Sequence, residues 1–163
     1  MSTKNKILTV FTPAYNRDYS IHLCYESLLR QTCKDFVWLV VDDGSTDNTA
    51  QLIKDWQTRD NGFEIKYVYK ENGGMHTAHN TAYENMDTEL SVCIDSDDYM
   101  TDDAVEKILD CWENNRDEKY AGIIALDILE GGKVIGTELE SDRKETTLGG
   151  FYQRGGKGDM KLI

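Results

Sequence analysis

The chain has 163 residues, with 18 Lys and Arg against 30 Asp and Glu, for a net charge of −12. That length favours one domain with a real core, and the acidic balance argues against a general binder of nucleic acid or of an anionic membrane. No apolar run reaches the ~18 residues of a membrane span, and no charged-then-apolar leader opens the sequence. Cysteines stand at 24, 33, 93 and 111 without a C-x-x-C pair. They are expected to be buried, reduced thiols, consistent with a soluble protein in the cytoplasm, the inner face of the membrane included.

In chain order, Ile7 to Thr12 is a short apolar run, and P-A-Y-N-R-D after it reads as a turn. Ile21, Cys24, Tyr25, Leu28 and Leu29 then recur at helical spacing. Phe36 to Val41 is a second strand, and D-D-G-S-T-D-N-T leads into a helix carrying Ala50, Ile53 and Trp56. Glu64 to Tyr69 alternates like a third strand. Asn72-Gly73-Gly74 breaks the chain before a helix predicted from Thr77 to about Met86, and Leu90 to Ile94 is the fourth strand.

A helix from Asp102 to Asn115 places Ala104, Val105, Ile108, Leu109 and Trp112 on one face. Ala121 to Leu129 and Lys133 to Leu139 flank Gly131-Gly132 like a hairpin, and the end, M-K-L-I, looks like the start of a further strand. Alternating strands and helices imply an α/β fold, a Rossmann-like, mostly parallel sheet with helices on both faces. We expect a single domain over 1–163, cut short at its C-terminal end.

Two of these strands end in carboxylates: V-W-L-V-V runs into Asp42 and Asp43, and L-S-V-C-I into Asp95, Asp97 and Asp98. Ligands of open α/β sheets bind outside the carboxyl ends of the strands, so both acidic clusters point to one shared site. Carboxylates gathered there repel one another, and a divalent cation with oxygen ligands is the obvious partner. Asp95 and Asp97 share a face of an extended chain and Asp98 takes the other, unless the backbone turns.

Ser45, Thr46 or Asp47 is expected to cap the helix after the second strand, and Gly44 to make the turn. That leaves Asp42 and Asp43 for a base N–H or ribose hydroxyls. Pro13, Tyr15 and Asn16 form either a simple turn or, through Tyr15, a platform for a nucleobase. His76 and His79 lack the further ligands zinc needs, and His22 reads as a surface residue. A calcium helix-loop-helix loop is disfavoured, because its glycine and distal glutamate are out of register.

Taken in order, T-P-A-Y-N, V-V-D-D-G-S-T-D-N-T, E-N-G-G and I-D-S-D-D resemble the inverting family-2 glycosyltransferases of GT-A fold, from about Ile7 to Trp112. The resemblance implies sugar transfer from a nucleotide-sugar, most often a UDP-sugar, to a glycan, lipid-linked or protein acceptor, with Mn2+ or Mg2+. It implies that Tyr15 stacks on the base and Asp43 bonds the uracil while Asp42 supports that pocket, with Pro13 among the donor-binding residues. Asp97 would take the ribose hydroxyls, Asp95 would line the pocket, and Asp98 would engage the metal on the diphosphate.

On this resemblance residues 7–115 are the donor part, and 116–163 a hairpin and the start of the acceptor side. The family's acidic general base is expected past Ile163, since within 140–163 only Asp159 is a candidate and it matches poorly. Two alternatives remain. One is a fragment that binds nucleotide and metal without catalysis. The other is an interaction module that associates, with itself included, through an exposed sheet edge near Met160, Leu162 and Ile163.

Overall fold

The structure is a computed structural model that describes residues 6–137, 146–153, 156–157 and 160–163. Its elements are β1 (Leu8–Ala14), α1 (Ile21–Arg30), β2 (Phe36–Asp42), α2 (Thr49–Gln57), β3 (Glu64–Tyr69), α3 (Met75–Glu84), β4 (Leu90–Cys93) and α4 (Ala104–Asn115). Then come β5 (Ile124–Leu126), α5 (Leu148–Gln153) and β6 (Met160–Leu162). Two compact units divide the chain, Met1–Ala121 and Gly122–Ile163. Among the described residues no helix is long and apolar enough to cross a membrane.

The first unit is a parallel sheet in the order β3-β2-β1-β4. Central strands of such a sheet are covered on both faces and read as continuous apolar runs rather than alternations. F-V-W-L-V-V of β2 does so, and every residue of that strand is buried. On one face Phe11, Leu39 and Val41 pack against Ala78 and Ala82 of α3, whose small side chains let the helix lie close. On the other, Trp38 stacks on Tyr25 of α1 and Trp56 of α2, with Tyr25 and Trp56 only 4.1 Å apart. The polar tips there are satisfied: Trp38 Nε1 donates to Thr12 Oγ1 at 3.0 Å, and Tyr25 Oη to Asn61 Oδ1 at 2.7 Å.

The register decides where the strands open. Ala14 pairs with Asp42 and Asp42 with Tyr69, so β1, β2 and β3 finish level. β4 stops early, Cys93 facing Phe11, so residues 94–98 turn in the space beside the last stretch of β1. The chain runs outward from β1 to β3 and then returns to lay β4 on the other flank of β1. Strand order therefore reverses between β1 and β4, where such sheets form their ligand crevice.

Several boundaries differ from the sequence expectation. α3 begins at Met75 rather than Thr77, because Gly74 takes φ 89 as N-cap and its carbonyl accepts from the amides of Thr77 and Ala78. Asp102 precedes α4 instead of opening it; its carbonyl accepts from Thr32 N at 2.8 Å, which ties this turn to the end of α1.

In the second unit the described residues of the expected hairpin form an antiparallel bridge between Ile128 and Val134 around Gly131 and Gly132, both at positive φ, while its last two residues, 138 and 139, lie outside the described residues. β5 pairs antiparallel with β6 instead. Ile163, expected on an exposed edge, is buried, and its amide and carbonyl both pair with Ile123, whereas Leu162 is exposed. Cys111, expected inside, is exposed on α4; Cys24 is buried, Cys33 and Cys93 are half-buried, and all are free thiols.

Candidate functional site

Both acidic residues that close β2 are buried, Asp42 fully. The Asp42 carboxylate accepts from Ser45 N at 2.8 Å and from Tyr67 Oη at 2.6 Å, so it closes the turn and ties β3 to β2. Burial and the bond to Asp42 both push the Tyr67 hydroxyl above its ordinary value, which keeps it a donor. Asp43 faces the next loop: its Oδ1 accepts from Gly73 N at 3.0 Å and its Oδ2 from Gly74 N at 2.8 Å. Lys70 Nζ pairs with the same carboxylate. Burial acts to raise the Asp43 carboxyl, but the bonds from Lys70, Gly73 and Gly74 prevail and hold it below its usual range.

Gly44 has to be glycine. It sits at φ +82, and a Cβ there would lie 2.7 Å from Asn72 N. The loops after β1 and β2 are stitched together above it. Asn16, at φ 52, donates its amide to Ser45 Oγ at 2.9 Å and accepts from Thr46 N at 2.8 Å. Arg17 N donates to Thr49 Oγ1 at 2.8 Å, and Asp18 N to Asp47 Oδ2 at 3.1 Å. Asp47 also accepts from Thr49 N at 3.0 Å, so it serves the start of α2 as expected, although Asn48 is the N-cap. Pro13 is half-buried within β1, opposite Val41. Tyr15 presents an exposed ring at the head of this loop.

The acidic end of β4 turns. Ile94 N extends the ladder to Phe11 O, and Asp98 N bonds back to Asp95 O at 3.0 Å, so the backbone turns here and the face alternation of an extended chain does not hold. Asp95 is half-buried, whereas Asp97 and Asp98 are exposed. Ser96 between them is buried, and its Oγ accepts from Arg17 Nε at 3.1 Å. Below the turn, His79 sets its ring edge-on to Phe11 at 5.2 Å, with Nε2 3.9 Å from Cys93 Sγ. His76 is exposed at the start of α3.

Among the described residues no three His, Cys, Asp or Glu side chains converge to hold a metal ion. Exposed carboxylates at Asp97 and Asp98 fit a different mode, in which a Mg2+- or Mn2+-like ion takes one or two carboxylates and completes its shell from phosphate oxygens and water.

The structure thus brings Pro13, Tyr15, Asp42, Asp43, Asp95, Asp97 and Asp98 to one edge of the sheet. Asp159 lies outside the described residues. Sequence reading missed two cations described at this edge, Lys70 and Arg17. Lys70 directly follows the third strand, and carboxylates ending the neighbouring strand are the signal that a cation there has a partner. Arg17 lies two residues past Tyr15, inside a segment read only as a turn.

The sequence model of the Glycosyl transferase family 2 matches residues 9–157. The chain belongs to this family. It is 36% identical over 101 residues to Glycosyltransferase GlyA of Streptococcus pneumoniae serotype 4, covering 62% of this chain and 14% of that protein. S. aureus TarS 1-349 in complex with UDP-GlcNAc superposes with a TM-score of 0.65 at 24% identity, over 77% of this chain and 36% of that one. The mannosyltransferase PcManGT of Pyrobaculum calidifontis, in complex with GDP-Man and Mn2+, gives 0.62 at 24% identity, over 71% and 33%. The fold is of the GT-A type, and the chain spans well under half the length of each of these proteins.

Proposed function

We propose that residues 7–115 bind the donor for an inverting, metal-assisted sugar transferase that takes a UDP-sugar and passes the sugar to a glycan, lipid-linked or protein acceptor. The observation that carries this reading is the meeting of Tyr15, Asp43 and the Asp95–Asp98 turn at the edge where strand order reverses. The same fold accommodates UDP-GlcNAc in TarS and GDP-Man with Mn2+ in PcManGT.

In this reading the exposed Tyr15 ring stacks on the base, with Pro13 shaping the strand end behind it. A carboxylate has about four acceptor positions. Among the described residues Asp43 Oδ2 is engaged by Gly74 N alone, which leaves it an acceptor position for the uracil N–H. Asp42 acts indirectly, through Ser45 and Tyr67. Asp97 accepts from the ribose hydroxyls, Asp95 lines the pocket, and Asp98 holds Mn2+ or Mg2+ against the diphosphate. Such an ion, when bound, offsets charge on the departing diphosphate. An inverting displacement also needs a base for the attacking hydroxyl, and no described residue is assigned to it.

Calorimetry with UDP tests the reading. If Asp98 and the diphosphate share a cation, UDP binds more tightly with Mn2+ than with chelator, and Mn2+ more tightly with UDP than alone, by the same factor. Equal UDP affinity under both conditions removes the metal bridge. No UDP binding under either removes the donor reading.

A further inference from the structure

Among the described residues two cations stand at the carboxyl edge of the first unit, and they are used differently. Lys70 is committed to Asp43. Arg17 is half-buried in the loop after β1, and among the described residues it makes no ion pair. Its Nε donates to Ser96 Oγ at 3.1 Å, and its Nη1 to Tyr19 Oη at 3.0 Å with the guanidinium carbon 5.8 Å from that ring's centre. A guanidinium carries five N–H donors in a planar fork, and these bonds occupy only part of it.

Position makes this more than a surface arginine. Ser96 is the buried residue between Asp95 and Asp97, and the Arg17–Ser96 bond joins the loop after β1 to the loop after β4. It spans the reversal of strand order, where the crevice of such sheets lies. The loop end of Arg17 is anchored as well, through its amide to Thr49. α1 opens on the same side with no acidic residue in its first turn. A guanidinium fixed at this point, unpaired with a carboxylate and set beside an acidic turn, has the charge and geometry for phosphate oxygens.

The geometry points to Arg17 as the residue that meets the donor's diphosphate and, through Ser96, holds the Asp95–Asp98 turn in place for it. This role rests on the nucleotide-sugar reading above. It predicts a protein contribution to phosphate binding that persists without metal, unlike the contribution of Asp98.

The test compares uridine with UDP, each with Mn2+ and with chelator, on the wild-type chain and on Arg17→Gln, Arg17→Lys and Ser96→Ala. Losing a charge-assisted contact should weaken UDP roughly tenfold or more in Arg17→Gln, with metal or with chelator, and leave uridine unchanged. Arg17→Lys should regain part of the loss, since it keeps the charge without the fork. Ser96→Ala should lose less than Arg17→Gln, since it frees the fork without removing it. Parallel losses for uridine and UDP would mean that Arg17 only supports the loops, and unchanged UDP binding would remove it from the site. If circular dichroism shows Arg17→Gln unfolded, the same split in Arg17→Lys and Ser96→Ala decides. Wild type that binds neither uridine nor UDP overturns the donor reading and Arg17's role with it; wild type that binds while the variants match it overturns Arg17 alone.

Discussion

Asp43 has a structural task and a proposed binding one, and the two pull apart experimentally. It pins Gly73 and Gly74 and pairs with Lys70 at side-chain exposures of 6% and 19%. Breaking such a shielded pair from one side costs about 3–5 kcal/mol, so Asp43→Asn should lower the urea midpoint clearly. Because its folded carboxyl is held below the ordinary value, its stabilisation is complete above ~pH 4 and is lost as pH falls through the folded value. The gap between wild-type and Asp43→Asn midpoints should therefore narrow below ~pH 4; a gap constant with pH would mean the charge is not what stabilises. In binding, Asp43→Ala should weaken UDP more than pyrophosphate, since the proposed bond is to the base, and equal losses would leave Asp43 a purely structural anchor. The thiols give a simpler check. Cys24, fully buried with its pKa pushed up to about 12 chiefly by burial, should resist a thiol reagent until unfolding, whereas exposed Cys111 should react first.

At the scale of elements, the strands owe their stability to side chains sandwiched between helices. Trp38, fully buried against the stacked rings of Tyr25 and Trp56, should cost about 3–5 kcal/mol when replaced by alanine, read as a denaturation midpoint. The turn after β2 is sensitive for another reason. Gly44→Ala combines a positive φ with a Cβ 2.7 Å from the Asn72 amide, and should cost about 1–3 kcal/mol while shifting the loop that Asp43 holds. A neutral Gly44→Ala would mean that the Asn72 loop yields without resistance. Under the proposed function both losses would also weaken donor binding through packing, since the same loops carry the residues proposed to meet the donor.

For the molecule as a whole, the two units differ in what protects them. In the first, β1 and β2 are sheet-paired on both sides and buried almost throughout. In the second, β5 and β6 pair over short stretches, and the residues of β5 are only half-buried. Amide exchange should therefore be slowest in Val10, Phe11, Leu39 and Val40 and much faster in Ile124 to Leu126. Equal protection across both units would contradict this picture. Charge also acts at this scale: a net −12 opposes a diphosphate, so the proposed donor binding would need local cations and a metal rather than a general field.

The sequence by itself determined the alternation of strands and helices in residues 7–115 and the edge on which Tyr15, Asp42, Asp43 and Asp95 to Asp98 fall. Period and burial are local properties of a chain, and a strand that ends in carboxylates names its own end. The family was legible for the same reason, since T-P-A-Y-N, D-D-G-S-T-D and D-S-D-D are contiguous. What tertiary structure decided is which side chains answer one another across those segments. That Asp42 belongs to Tyr67, Asp43 to Lys70 and the Gly73–Gly74 amides, and Ser96 to Arg17 follows from strand register and from the early stop of β4. That β5 pairs with β6, beside the Ile128–Val134 bridge of the expected hairpin, has the same origin, because pairing between distant segments is settled by how strands align and not by any local pattern.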